Sequence, residues 1–395
     1  MIQATDVILP PATIAILGGG QLGAMLAEAA RRMGYRTVCV SASEEDPAGR
    51  WSDHHVVGDP GDIALIRRLA RDVQVVTVET EGIAPEALTA AAELGCRVAP
   101  SAAVQQTVRD RRLEKTFFKH HNLPVGAFCI CDSAAQVDAA IAELLPLGGG
   151  AGVVAKTARG GYDGKGQRWI KTLHQGAAVW EALGQVPLVL EAAIPFVAEA
   201  SVIVARSADG RKTALPMFQN EHRGGILFQT RMPGTFEQPT LEKAVALAEA
   251  TADKLDVVGL ITVEMFVLRD GRVLANELAA RPHNSGHVTL RAASRSQFEM
   301  HIAALCGLPL PPVQILRPGV MTNLLGDLWA GGPPDWTQVL RDSSATLHLY
   351  GKGPRPGRKM GHMIHTAADI NTAKAMADRA FGLLNDAVAR RNMLA

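Results

Sequence analysis

A chain of 395 residues that is 47% hydrophobic is long enough for several buried cores. Its 40 Lys and Arg against 39 Asp and Glu leave no global field to hold nucleic acid or an anionic membrane, so neither partner is expected and any anion site must be a local cluster. No apolar stretch approaches the roughly 20 residues of a membrane span, and "MIQATDVILPP" lacks the basic-then-apolar order of an export signal, so a cytoplasmic protein is expected.

In chain order, "TIAIL", a glycine turn, the amphipathic "QLGAMLAEAARRMG" and "RTVCVS" read strand, helix, strand: half of a doubly wound α/β unit with a parallel sheet. The pattern continues through helix "DIALIRRLARD", strand "VQVVTVE", helix "APEALTAAAELG" and strand "RVAPS". Helix-like "DRRLEKTFFKHH" then leads into a second unit with strands "GVVAK" and "VPLVLE" and a glycine-rich loop between them. A third unit carries "ASVIVARS", the helix "LEKAVALAEATADKL" and two strands around Asp270-Gly271. Pro-rich "GLPLPPVQILRPG" marks the passage into a last region containing "TLHLYG". Divisions at 12–110, 111–190, 191–320 and 321–395 follow. Cys39, Cys96, Cys129, Cys131 and Cys306 are odd in number and lack C-x-x-C spacing, which suits reduced structural thiols.

Three stretches carry chemistry. Gly18, Gly20 and Gly23 fit G-x-G-x-x-G between a strand and a helix, the setting of a dinucleotide fingerprint. The following strand ends in "VCVSAS" without the expected ribose-binding acid, so a nicotinamide dehydrogenase and a plain packing turn both stay open. Next, "KTARGGYDGKGQ" places four glycines and three cations in twelve residues after an apolar run. It is no Walker A motif, yet a loop of this kind can lay backbone N–H groups on polyphosphate while Lys156 adds a point charge. Finally, Asp-Gly between two β-rich runs predicts a two-residue type I′ hairpin. Arg269 then falls opposite Arg272 and Glu264 opposite Glu277. Like charges so opposed are destabilising, and a divalent cation would relieve them, with Asn276 offering a further oxygen. A register-breaking bulge would leave a merely solvated pair. Glu79 or Glu81, at a strand's carboxyl end, is placed to face a ligand. In "GKGPRPGRKMGH", Lys352, Arg355, Arg358 and Lys359 occur without an acid, forming a ready phosphate cradle. His283 and His287 have H-x-x-x-H spacing, but Pro282 and Gly286 argue against the helix a zinc site of that kind needs.

Together "GGGQLG", "KTARGGYDGKGQ", "NEHRGGIL", "NELAARPHNSGH", "SQFEMH" and "GKGPRPGRKMGH" resemble the ATP-grasp superfamily and, within it, the N5-carboxyaminoimidazole ribonucleotide synthetase family, over nearly the whole chain. The departures are Ala280 in place of proline and Gly82 in place of asparagine. The resemblance implies an α+β ATP-grasp lid and core behind the N-terminal domain. It implies a ligase that phosphorylates bicarbonate with ATP and passes the carboxyl unit to 5-aminoimidazole ribonucleotide, in a homodimer using one or two Mg²⁺, or Mn²⁺. ATP would meet Arg111, Lys156, Gly161, Tyr162, Gly164, Gly166, Gln167, Glu191, Ile194, Glu199, His222, Asn276 and Glu277, the metal Glu264 and Glu277. Asp163, Lys165, Arg281, His283 and Asn284 would act at the reacting groups, and Gln21, Tyr162, Asp163, Lys352, Arg358 and Lys359 would bind the ribonucleotide. Another ATP-grasp carboxylase, the dehydrogenase and a non-catalytic nucleotide binder are the alternatives.

Overall fold

A computed structural model of the chain describes residues 6–161 and 164–394. Three sheets organise it. The first is parallel, with β1 (Thr13–Leu17), β2 (Arg36–Ser41), β3 (His54–Val57), β4 (Val75–Val78) and β5 (Arg97–Val98) in the order β3-β2-β1-β4-β5. All of β4 and all but the first residue of β1 are buried, as expected of strands covered on both faces. The order reverses at β1, so the carboxyl ends of β1 and β4 open onto the crevice where such sheets bind ligands.

The helix Gln21–Arg32 starts at that crevice and buries Leu22, Met25 and Leu26 in a cluster with Phe298, Ile302 and Leu305 of the helix Gln297–Leu305. Two buried polar ties cross the same junction, Thr77 Oγ1 to His301 Nε2 at 2.9 Å and Arg97 Nη1 to the Leu305 carbonyl at 3.1 Å. Burying one Leu, Ile or Phe contributes about 1.5–3 kcal/mol, against about 1 kcal/mol net for a typical hydrogen bond. Apolar packing therefore docks the first unit and the polar ties set its register.

The second sheet, antiparallel, contains β6 (Phe128–Cys131), β7 (Val153–Thr157), β8 (Gln167–Ile170) and β9 (Leu188–Ala192) in the order β6-β9-β7-β8. The glycine loop joins β7 directly to β8, so Lys156 and Gln167 face each other at the mouth of that hairpin. Cys39, Cys96, Cys131 and Cys306 are buried and Cys129 half-buried, all as free thiols.

The third sheet has nine strands: β10 (Phe196–Arg206), β11 (Lys212–Ala214), β12 (Phe218–Arg223), β13 (Ile226–Met232), β14 (Gly259–Leu268), β15 (Val273–Ala279), β16 (Gly319–Leu325), β17 (Ala345–Leu349) and β18 (Lys359–Thr366). Their order is β15-β14-β10-β12-β13-β16-β18-β17, with β11 on β10. Since β13 pairs with β16, the sheet runs through residue 320 and the C-terminal strands extend it.

The β14–β15 hairpin departs from the expected turn. Leu268 N donates to the Arg272 carbonyl at 2.9 Å and Gly271 N to the Leu268 carbonyl at 3.0 Å, which makes Arg269, Asp270 and Gly271 a three-residue loop. Only Gly271 is left-handed there, at φ +74°, whereas a type I′ turn needs positive φ at both central residues. The resulting one-residue shift is undone further along. Met265 faces Ala275, a bulge follows, and Glu264 faces Glu277. Two irregularities thus cancel, and the carboxylates are opposed by a different route from the one the Asp-Gly pair suggests.

Candidate active site

A cleft of about 830 Å³ lies between the three sheets. One end is apolar: Val154, Trp169, Ile194, Phe196 and Phe266 line it, and the rings of Phe196 and Phe266 stack 4.7 Å apart at 17°. Trp169 and Phe196 are 55% and 45% exposed, an arrangement that invites a flat ring. Sequence reasoning missed these aromatics. The sole hint is Trp169 among the polar residues of "GQRWI" on a largely exposed strand.

Toward the middle, Lys156 Nζ reaches Glu191 Oε1 at 2.8 Å and Asn276 Oδ1 at 3.4 Å. Lys115 Nζ holds the other oxygen of Glu191 at 2.8 Å. Burial alone would raise the Glu191 carboxyl, but the two ammonium groups outweigh it and hold it at about 2. That side chain is therefore committed to lysines, and Glu191 and Ile194 reach the cleft at the end of β9. Arg111 fastens the glycine loop by donating to the carbonyls of Thr157 at 3.0 Å and Gly161 at 2.9 Å, and lies 3.6 Å from Glu277 Oε2. Gly164, Lys165, Gly166 and Gln167 line the cleft, with Gly164 and Gly166 at φ +78° and +69°, values that favour glycine. Tyr162 and Asp163 lie outside the described residues. Glu199 Oε2 and His222 Nδ1 are 2.7 Å apart. Burial would lower the imidazole, yet Glu199 prevails and raises it.

Glu264 and Glu277 both line the cleft from one face of the hairpin. Their repulsion, for which the sequence suggests a divalent cation, is partly met within the chain. Glu264 Oε1 lies 2.9 Å from His283 Nε2, and the Ser285 N–H donates to His283 Nδ1 at 3.3 Å, so the ring proton sits on Nε2, toward Glu264. Against burial, this bond holds the Glu264 carboxyl well below its ordinary range. The described residues contain no cluster of three or more His, Cys, Asp or Glu able to hold a metal alone. Two carboxylates and the Asn276 amide on a cleft wall nevertheless fit Mg²⁺, which takes one or two carboxylates and completes its shell with water and phosphate. Nearby Glu114, missed in the sequence, is a buried carboxyl pushed up by burial and by Glu277.

The far end is polar. Arg281 Nε binds Glu81 Oε1 at 2.8 Å, Lys352 Nζ contacts Gln21 Oε1, and Lys359 and Asn284 also line the wall. Both amide atoms of Asn284 are buried with no partner among the described residues. Arg358 is outside this lining, its guanidinium donating to the Gly353 carbonyl at 3.0 Å. Glu79 resolves the first glycine turn: its carboxylate accepts from Gly20 N at 2.8 Å and Gly23 N at 3.2 Å, at the start of the helix where a pyrophosphate would bind. His287 belongs elsewhere, buried in a stack with His362 at 4.5 Å.

Three family models match the chain in succession. Residues 11–108 match the ribonucleotide synthetase preATP-grasp domain, 116–298 the ATP-grasp domain and 319–376 the phosphoribosylaminoimidazole carboxylase C-terminal domain. The chain is 40% identical over 363 residues to the N5-carboxyaminoimidazole ribonucleotide synthase of Bacillus subtilis, covering 91% of this chain and 93% of that one. It is 38% identical to that of Brucella melitensis over 90% of this chain and 96% of the relative. A crystal structure of an N5-carboxyaminoimidazole ribonucleotide synthetase with ADP superposes with a TM-score of 0.90 at 36% identity, covering 98% of this chain and all of that one. An Aspergillus clavatus synthase in complex with ADP and 5-aminoimidazole ribonucleotide gives 0.84 at 27% identity, over 97% of this chain and all of that one.

Proposed function

The chain belongs to the N5-carboxyaminoimidazole ribonucleotide synthase family, ATP-grasp ligases that carboxylate 5-aminoimidazole ribonucleotide using ATP in purine biosynthesis, and from that premise we propose how its residues divide the work. The carrying observation is the opposed pair Glu264 and Glu277 beside Asn276, midway between an apolar and a cationic end of one cleft.

The base lies against Ile194, Phe196 and Phe266, the ribose at Glu199 and His222, and the phosphates at Lys156, Arg111 and the backbone of the glycine loop. Phosphoryl transfer between anions needs positioning and charge neutralisation more than covalent help from the protein. Arg111 and Lys156 supply both from rigid elements. Mg²⁺ would be held by Glu264 and Glu277, with Asn276 adjacent, and when bound it neutralises charge on the transferring group.

Bicarbonate is the carboxyl source in this reading. It takes the γ-phosphoryl group, forming carboxyphosphate and ADP. The exocyclic amine of the ribonucleotide then attacks the carboxyl carbon, the C–O bond to phosphate breaks so that inorganic phosphate departs, and the amine proton passes to the departing phosphate or to Asp163. Arg281, His283 and Asn284 hold the reacting carboxyl group, the unpartnered Asn284 amide being suited to an oxygen-rich ligand. Asp163 orients the amine and Lys165 closes the loop over it, while Gln21, Tyr162, Lys352 and Lys359 bind the ribonucleotide, with Arg358 behind them. A homodimer, a cytoplasmic setting and the four-part division at 110, 190 and 320 complete the reading on family likeness.

The test is ADP release with ATP, bicarbonate and 5-aminoimidazole ribonucleotide each omitted in turn. Turnover is expected to require all three. Undiminished turnover without the ribonucleotide would rule it out as acceptor, and a protein that binds Mg-ATP without releasing ADP would be no ligase.

A further inference from the structure

The helix Arg111–His120 buries Phe118 in the core but buries charge beside it. Leu113 is 40% exposed, whereas Glu114 and Lys115 are each 1% exposed. Burying a carboxylate and an ammonium is rarely a gain in stability over apolar residues of the same size, and such local violations concentrate where function requires them.

Both buried groups go to β15. This is the edge strand of its sheet, and among the described residues the only β-pairing on its outer side is an isolated bridge from Val125 to Ala275. Lys115 Nζ donates to the Asn276 carbonyl at 2.8 Å, and Glu114 Oε2 accepts from Leu278 N at 2.9 Å. These two peptide groups flank Glu277 on either side. Just beyond the helix, the Pro124 carbonyl accepts from Ala275 N at 2.8 Å. Lys115 continues through Glu191 to Lys156, whose ammonium also reaches Asn276. The bulge between the Glu264 and Met265 pairings is thus gripped from outside the sheet.

We propose that Glu114 and Lys115 are positioning residues that clamp the bulged edge of β15 and thereby aim Asn276 and Glu277 at the nucleotide's phosphates and their metal. The inference rests on the reading of Asn276 and Glu277 given above. The physical need is specific: side chains alternate along a strand, so a one-residue slip would turn Glu277 to the other face. A bulge without such support is a site where that slip is cheap. Neither residue touches substrate; they act through the backbone of 276–278.

Glu114→Leu fills the same space but removes the acceptor for Leu278 N, and Glu114→Gln keeps a carbonyl oxygen there. Both are made in the full-length protein, with Glu277→Gln alongside. Calorimetric titration with Mg-ADP is expected to weaken about 10- to 100-fold in Glu114→Leu, the range for residues that support a metal ligand from behind, and to stay within about threefold in Glu114→Gln. Ribonucleotide affinity is expected to hold in both. Backbone amide exchange of the wild-type segment around Leu278 is expected to be as slow as in the sheet interior, and fast only in Glu114→Leu. A Glu114→Leu protein with unchanged Mg-ADP affinity, or fast wild-type exchange at Leu278, would overturn the clamp even where Glu277→Gln is impaired. If Glu277→Gln itself binds Mg-ADP normally, the underlying metal reading fails instead and takes the clamp with it.

Discussion

Two glycine turns of similar composition have opposite fates in this molecule. At the first, a Cβ on Gly18 would sit 2.5 Å from Glu79 Cγ and one on Gly20 2.7 Å from Glu79 Oε1, so the chain's own carboxylate fills the space glycine leaves. At the second, a Cβ on Gly160 would meet nothing within 4 Å among the described residues. Elsewhere in the second loop a Cβ on Gly161 would come 2.8 Å from the Lys165 carbonyl and one on Gly166 2.7 Å from Thr157 Oγ1, so the contrast is between Gly18 and Gly20, whose space Glu79 fills, and Gly160, whose space is open. A literal dinucleotide fingerprint is thereby closed, while a loop matching no P-loop pattern stands over the cleft.

The largest expected effect lies at the second turn's partners. Glu277→Gln is expected to reduce kcat/KM for Mg-ATP by about 100-fold or more, with a melting temperature close to wild type, since Glu277 is a half-exposed cleft residue. Steady-state ADP release against Mg²⁺ concentration checks this, and an unchanged rate at limiting Mg²⁺ would remove the metal assignment. Next comes the first turn. Gly18→Ala combines a positive φ of +114° with the Glu79 overlap and is expected to cost about 1–3 kcal/mol of stability, read from the denaturant midpoint. Gly160→Ala, with open space but φ +78°, is expected to lose only the backbone strain of about 1–2 kcal/mol and to show its main effect on nucleotide KM. Equal stability losses at the two positions would erase the contrast.

The smallest effect is one of pH. Glu199 raises His222 above the ordinary imidazole value of 6.5. A raised folded value favours the protonated native state, so its stabilisation is complete below about pH 6.5 and is lost as pH rises through the higher folded value. The melting-temperature difference between wild type and His222→Gln should therefore be greatest near about pH 6 and shrink in alkali. A difference that grows with pH would contradict the Glu199–His222 pairing.

Much of this was legible in the sequence because it is encoded locally. "TIAIL" and "VVTV" announce buried parallel strands, and a β-rich run on each side of Asp-Gly announces a hairpin. The opposed carboxylates were found through a turn type that is wrong, because a loop residue and a bulge residue offset each other at Gly271 and Asn276. What stayed hidden depends on residues far apart in the chain. Glu79 meets Gly20 across 59 positions and Glu114 meets Leu278 across 164, and no local pattern reports such partners. Phe196 and Phe266 look like ordinary core aromatics until the sheet stacks them. Arg358 shows the converse, since four cations in one turn do not say which of them face the cleft.

A crystal structure with Mg²⁺ and a non-hydrolysable ATP analogue tests the central claim most directly. The account predicts the base between Ile194 and the stacked Phe196 and Phe266, with the terminal phosphates at Lys156 and the Glu264–Glu277 pair beneath the second glycine turn. Phosphates bound instead at Gly18–Gly20, with Glu79 displaced, would contradict it.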